Sequence, residues 1–132
     1  MTCSKKAENK SILVVDDEQD VLDFLKIYLE SLGWDVTTCE STSRAFNELE
    51  SQSFFLVITD IAMPDMDGYE FVSEMKSRQV DSQVVLMTGF GYNPNHTLVK
   101  LNRAVKHTVL FKPFDRSKLS AAVQTAFDTY FS

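Results

Sequence analysis

Hydrophobic residues in this chain fall into two kinds of segment that alternate along the sequence. Short continuous apolar runs are typical of strands buried on both faces, whereas apolar residues that recur every three or four positions are typical of amphipathic helices. The runs predict five strands, at residues 12–15, 35–39, 54–59, 83–87 and 107–111. The helical spacing predicts five helices, at residues 19–32, 41–50, about 69–77, 93–105 and from Asp115 onward.

Strands that alternate with helices in this way predict an α/β fold with a parallel sheet, helices on both of its faces and right-handed crossovers. Five strand–helix units fit a length of 132 residues without a second domain. Residues 1–10 are polar and patternless, so we expect a flexible N-terminal tail ahead of one domain at residues 11–132.

The charge balance, the hydrophobic runs and the cysteines argue against nucleic-acid-binding, membrane and disulfide-rich secreted proteins. The chain has 19 acidic and 13 basic residues for a net charge of −6, with no pronounced basic cluster, which disfavours nucleic-acid binding by this domain. No apolar run approaches the roughly 18 residues that span a bilayer, and the N-terminus does not resemble a signal peptide. Cys3 and Cys39 offer neither a disulfide framework nor a metal-binding spacing, so we expect a reduced, cytoplasmic protein without membrane contact.

Polar residues follow four of the predicted strands at the point where each strand ends. Asp16 and Asp17 follow the first strand, Asp60 the third, Thr88 the fourth and Lys112 the fifth. The carboxyl ends of parallel strands meet at one edge of the sheet, where α/β proteins bind their ligands. Taken singly, each residue has an ordinary explanation as a helix cap, a turn residue, a strand end or a surface lysine. Their joint placement predicts a functional site.

The residue types at this edge indicate the chemistry. Carboxylates crowded together repel one another, and a bound divalent cation relieves that repulsion. A few oxygen ligands beside an open site suit Mg²⁺, which keeps several waters and takes further oxygens from a phosphate. Carboxylates, a hydroxyl and an ammonium are together suited to hold a phosphoryl group.

Four motifs in this order resemble the receiver domain of two-component response regulators. They are Val-Val-Asp-Asp-Glu at 14–18, Ile-Thr-Asp-Ile-Ala-Met-Pro-Asp-Met-Asp-Gly at 58–68, Met-Thr-Gly at 87–89 and Phe-Lys-Pro-Phe at 111–114. The resemblance covers residues 11–131, nearly the whole chain. It implies a single doubly wound, flavodoxin-like (βα)5 fold whose five-stranded parallel sheet has the order 2-1-3-4-5.

The resemblance also implies a role for each residue of the site. Asp60 is expected to accept a phosphoryl group from a histidine kinase or a histidine phosphotransfer protein. Thr88 is expected to turn its hydroxyl toward that group, and Lys112 to pair with it, aimed inward by a cis bond before Pro113.

The metal site implied by the resemblance uses four residues. Asp16 and Asp17 are expected to organise Mg²⁺ together with the Asp60 carboxylate and the backbone carbonyl of Ala62. Phosphorylation is expected to switch a protein-interaction surface, with no enzymatic activity beyond self-phosphorylation and self-dephosphorylation. The chain fits either a stand-alone regulator or a receiver from a larger protein such as a hybrid kinase, and it leaves the downstream partner open. A homodimer through the predicted fourth helix, fifth strand and fifth helix is a further expectation.

Three positions depart from the usual receiver pattern. Val109 stands three residues before Lys112, where an aromatic residue often reports phosphorylation to the partner-binding face. This leaves the helix before the fifth strand, or its preceding loop, as the alternative output route. Ala62 and Phe90 occupy two positions at the rim of the pocket, and neither side chain can orient a water, so we expect slow self-hydrolysis of the aspartyl phosphate.

Other functions fit the sequence less well. The departure at Val109 keeps open a receiver-like interaction module that works without phosphorylation. A phosphatase that forms an aspartyl phosphate usually needs a second aspartate two residues after the first, where this chain has Ala62. A calcium-binding EF-hand loop beginning at Asp65 would need glycine where Glu70 stands. His96 and His107 lie outside the predicted pocket elements.

Overall fold

The five predicted strands form one parallel sheet. The structure, a computed structural model, describes residues 9–63, 65–89 and 108–132. Hydrogen-bonded neighbours give the strand order β2-β1-β3-β4-β5, and every pairing is parallel. This confirms the doubly wound, flavodoxin-like arrangement. The strands are β1 (Ser11–Val15), β2 (Asp35–Cys39), β3 (Leu56–Asp60), β4 (Gln83–Thr88) and β5 (Thr108–Phe111).

Four helices connect or follow these strands in the described part of the chain. They are α1 (Gln19–Ser31), α2 (Thr42–Ser51), α3 (Gly68–Ser77) and α4 (Arg116–Tyr130). The predicted helix between the fourth and fifth strands, at residues 93–105, lies outside the described residues, so α4 corresponds to the last of the five predicted helices. Residues 1–8 also lie outside, and the N-terminal tail stays a prediction.

Local sequence explains where the helices begin and end. Asp115 caps α4 by accepting hydrogen bonds from the Ser117 and Lys118 amides, as expected. Gly33, with φ of +99°, follows the last turn of α1 and takes the left-handed conformation that favours glycine. The predicted stop of the first helix at Gly33 is therefore confirmed.

The core has two layers, one on each face of the sheet. Ile12 and Val14 of β1 face a cluster that includes the apolar side chains of α1 and α4. Leu13 and Val15 face the opposite cluster, which includes those of α2 and α3. Because both faces of the strand are covered, its apolar run is continuous rather than alternating. This layering leaves the ends of the strands as the accessible edge of the sheet.

The third strand begins two residues later than the sequence predicts. Phe54 and Phe55 are fully buried but precede the first residue of β3, Leu56. The Phe55 ring lies 5.1 Å from the Trp34 ring and 5.2 Å from the Phe127 ring, measured between centroids. Both phenylalanines pack in the core just ahead of the paired strand. Hydrophobicity alone does not distinguish a core residue that precedes a strand from a residue of the strand itself.

Candidate functional site

The carboxyl edge of the sheet brings the predicted acidic residues together. Asp16 follows β1 directly, and Asp60 is the last residue of β3, the neighbouring strand. Carboxylate oxygens of Asp16, Asp17 and Asp60 lie within 4.8 Å of one another. Asp16 and Asp60 are buried, whereas Asp17 is exposed. The site therefore has a buried floor and an open side.

The two buried carboxylates are held in the same manner. One oxygen of Asp16 accepts the Glu18 amide hydrogen at 2.9 Å, and one oxygen of Asp60 accepts the Ala62 amide hydrogen at 2.9 Å. Backbone donors thus fix one oxygen of each side chain and leave the Oδ2 atoms directed elsewhere. Both Oδ2 atoms contact the same ammonium, that of Lys112.

Lys112 links the acidic residues across the site. Its Nζ donates to Asp16 Oδ2 at 2.7 Å, Asp60 Oδ2 at 2.8 Å and Glu18 Oε1 at 3.0 Å. The bond between Lys112 and Pro113 is cis, as the resemblance implied. Burial alone would lower the pKa of Lys112, but the hydrogen bonds that its ammonium donates to Asp16 and Asp60 raise the pKa above its ordinary value. The lysine is therefore a permanent cation in the site.

One ammonium does not balance the negative charge around it. Burial raises the pKa of Asp16 from 3.8 to about 6, although the hydrogen bonds from Lys112 and Glu18 act in the opposite direction. Asp17 and Asp60 complete an all-oxygen donor set with an open side. Hard oxygen donors and excess negative charge fit Mg²⁺. The amide contact to Asp60 places Ala62 beside this cluster.

Thr88 places a buried hydroxyl at the same edge of the sheet. The side chain is buried, and within the described ranges its Oγ1 has no hydrogen-bond partner. Thr88 is adjacent to the lysine in the sheet, because its carbonyl accepts the Lys112 amide hydrogen at 2.9 Å. A buried hydroxyl without a partner costs about 1–3 kcal/mol. An incoming group rich in oxygen atoms would recover this cost.

The sequence did not single out Glu18 as a site residue. Its carboxylate contacts Lys112 from the solvent side, with the Glu18 side chain 62% exposed. The signal available was its position directly after the aspartate pair. Val109 is half-buried in β5 and packs against the core beneath α2 and α3. Phe90, His96 and His107 lie outside the described residues.

Comparison with known proteins identifies the family. The family model described as the response regulator receiver domain matches residues 12–124. The chain belongs to this family. As a receiver domain it is related to proteins of two-component signalling.

Individual relatives agree with this assignment. Transcriptional regulatory protein FixJ of Bradyrhizobium diazoefficiens is 32% identical over 115 residues, which are 87% of this chain and 55% of FixJ. Response regulator SaeR of Staphylococcus aureus is 39% identical over 77 residues, which are 58% of this chain and 33% of SaeR. The chain thus matches about half the length of FixJ and a third of the length of SaeR.

A solved structure shows the same fold. The solution structure of the beryllofluoride-activated NtrC4 receiver domain dimer aligns with a TM-score of 0.80 at 32% identity, covering 92% of this chain and 98% of that chain.

Among the described helices of the present receiver domain, none is long and apolar enough to cross a bilayer.

Proposed function

We propose that this receiver domain accepts a phosphoryl group on Asp60 from a phosphohistidine donor and thereby switches a protein-interaction surface. The observation that carries the proposal is the environment of Asp60. Its carboxylate is buried, fixed through one oxygen by the Ala62 amide and contacted through the other by the Lys112 ammonium. Family membership supports a histidine kinase or histidine phosphotransfer protein as the donor.

The residues of the site suit an in-line transfer. An oxygen of the Asp60 carboxylate attacks the phosphorus, the phosphorus–nitrogen bond of the donor breaks, and the histidine nitrogen keeps the electron pair and takes up a proton. The Lys112 ammonium offsets negative charge on the transferred group, and the Thr88 hydroxyl donates a hydrogen bond to it. The Thr88 hydroxyl, which has no hydrogen-bond partner among the described residues, supports this role.

The acidic cluster supports a metal-dependent reaction. Asp16, Asp17, Asp60 and the backbone carbonyl of Ala62 would hold Mg²⁺, which when bound would offset the charge of the carboxylates and of the phosphoryl oxygens. The donor set fits this ion because its side-chain ligands are all carboxylates within 4.8 Å of one another.

The proposed role is regulatory rather than metabolic. The domain would catalyse only its own phosphorylation and dephosphorylation, act in the cytoplasm and bind no nucleic acid itself. Its partial coverage of FixJ supports either a stand-alone regulator or a receiver within a larger protein. The NtrC4 relative is a dimer, and we propose for this chain a homodimer through the predicted fourth helix, β5 and α4.

Intact mass after incubation with acetyl phosphate and Mg²⁺ tests the proposal. The parent protein is expected to gain roughly 80 Da, the mass of one phosphoryl group, and to lose this gain in the presence of a chelator. Asp60→Asn, which keeps an oxygen for the Ala62 amide, is the matched control and is expected to gain nothing. A folded parent that stays unlabelled, beside a receiver that the same reagent labels, would favour an interaction module that works without phosphorylation.

A further inference from the structure

The loop that carries Ala62 runs from β3 to α3 and is closed at its neck. The Gly68 amide donates to the Ile61 carbonyl at 2.7 Å. A Cβ atom added at Gly68 would lie 2.9 Å from the Ile61 Cα, so the two backbones meet where only glycine fits. Within the loop, Met63 is buried against the core. The loop thus has a fixed neck and one apolar anchor.

A polar anchor ties the far side of this loop to a different helix. Asp65 Oδ2 accepts the Thr42 hydroxyl hydrogen at 2.7 Å and the Thr42 amide hydrogen at 3.1 Å. Thr42 is the first residue of α2 and is buried, whereas Asp65 belongs to the loop. Burial would raise the pKa of Asp65, but the hydrogen bonds from Thr42 and neighbouring amides hold it below its ordinary value.

The contact is more than a cap that α2 requires. Ser41, the residue before the helix, already accepts the Arg44 amide hydrogen at 3.3 Å. Asp65 instead reaches α2 from 23 residues away in sequence. The contact instead restrains the loop. A carboxylate that accepts two short hydrogen bonds from one residue fixes the position of its own backbone, here that of Asp65.

We propose that Asp65 and Thr42 form a positioning pair that holds the loop against α2 and so keeps Ala62 in place beside Asp60. The pair touches none of the reacting groups and acts through the backbone at Ala62. Partners outside the immediate ligand shell often set metal affinity in this way. The inference rests on the proposed function for its consequence, namely Mg²⁺ binding, and on the hydrogen bonds above for its structural part.

Three variants separate this role from general stability. Asp65→Ala removes the acceptor, and Asp65→Asn removes the charge but retains an oxygen that can accept both hydrogen bonds. Ser41→Ala is the matched control, because it weakens the start of α2 without touching the loop. Each variant is compared with the parent by hydrogen exchange at the Ala62 amide in metal-free protein and by calorimetric titration with Mg²⁺.

The expected pattern is specific to the loop. In Asp65→Ala, exchange at Ala62 is expected to accelerate about tenfold and Mg²⁺ to bind roughly tenfold more weakly. Asp65→Asn and Ser41→Ala are expected to stay within about threefold of the parent in both measurements. Rescue by the neutral Asn side chain distinguishes a hydrogen-bonded anchor from a charge that attracts the ion.

Several results would overturn the pair. One is an exchange rate of the Ala62 amide in Asp65→Ala that equals the rate in the parent. Another is an equal acceleration in Ser41→Ala, which would assign the faster exchange to a weakened α2. If Asp65→Asn binds Mg²⁺ as weakly as Asp65→Ala, the loss of affinity would be assigned to the missing charge. Neither measurement requires phosphoryl transfer, so a parent that binds Mg²⁺ yet gains no phosphate would contradict the proposed function and leave the positioning role to be judged by these variants.

Discussion

The buried carboxylate of Asp16 is expected to destabilise the folded protein at neutral pH when Mg²⁺ is absent. Burial raises the pKa of Asp16 from 3.8 to about 6. In the unfolded chain the group ionises near 3.8, so between these two values the folded state binds more protons. Stability is therefore lost as pH rises through this window, and the loss at neutral pH corresponds to about 3 kcal/mol.

Replacement of Asp16 by Asn removes this penalty and keeps one of the two contacts of the side chain, the one to the Glu18 amide. The Asn oxygen can still accept the Glu18 amide hydrogen, and Lys112 keeps Asp60 and Glu18 as partners. The lost hydrogen bond to Lys112 reduces the gain by about 1 kcal/mol. We therefore expect Asp16→Asn to be more stable than the parent by about 2 kcal/mol at pH 7.5.

Urea unfolding with a chelator present, at several pH values between 4 and 7.5, measures this difference. The gain is expected to shrink as pH falls below about 6. Asp35→Asn, at an exposed position of β2, is the control and is expected to change stability by less than about 0.5 kcal/mol. A loss of stability in Asp16→Asn at pH 7.5, or a gain independent of pH, would refute the reasoning.

Four further predictions follow from the site and its loop. Lys112→Ala is expected to destabilise the metal-free protein by about 3 kcal/mol in urea unfolding, because it leaves buried carboxylates unpaired. Added Mg²⁺ should recover part of that loss, and unchanged stability would count against a stabilising role of the ion pairs. Thr88→Val removes a hydroxyl that has no partner within residues 9–63, 65–89 and 108–132, so the stability of the variant should fall by no more than about 0.5 kcal/mol while acetyl phosphate labelling slows. Labelling at the parental rate would argue against a role of the hydroxyl. Gly68→Ala is expected to cost about 2 kcal/mol because of the close Ile61 backbone, and a neutral result would show that the neck can open. Since Ala62 offers no group that orients water, the labelled protein should lose its phosphate slowly after donor removal, as intact mass over time would show; a half-life of seconds would contradict this.

The sequence predicts the sheet well because burial leaves a direct trace in it. Strands covered on both faces need continuous apolar runs, and β1 shows one. The same runs locate Asp16, Asp60 and Thr88 at strand ends, and parallel pairing then carries those ends to one edge. The predicted start of β3 was wrong by two residues, because Phe54 is buried in the core without belonging to the paired strand.

The side-chain contacts between loops could not be predicted in the same way. Glu18 meets Lys112 across 94 residues, and Asp65 meets Thr42 across 23. Neither contact has a periodicity or spacing that marks it, because each depends on how two loops approach once the core has packed. The family motif included Glu18 and Asp65 without assigning either a partner. These contacts required the three-dimensional arrangement.

The most direct test of the phosphoacceptor role is to locate the phosphoryl group on the chain. Protein labelled with acetyl phosphate and Mg²⁺ is reduced with borohydride, which converts an aspartyl phosphate to homoserine, and its peptides are sequenced by mass spectrometry. We expect the conversion at Asp60 alone, and none when a chelator replaces Mg²⁺. Conversion at Asp16 or Asp17 instead, or phosphate found on a hydroxyl side chain, would contradict the assignment of Asp60 as the acceptor.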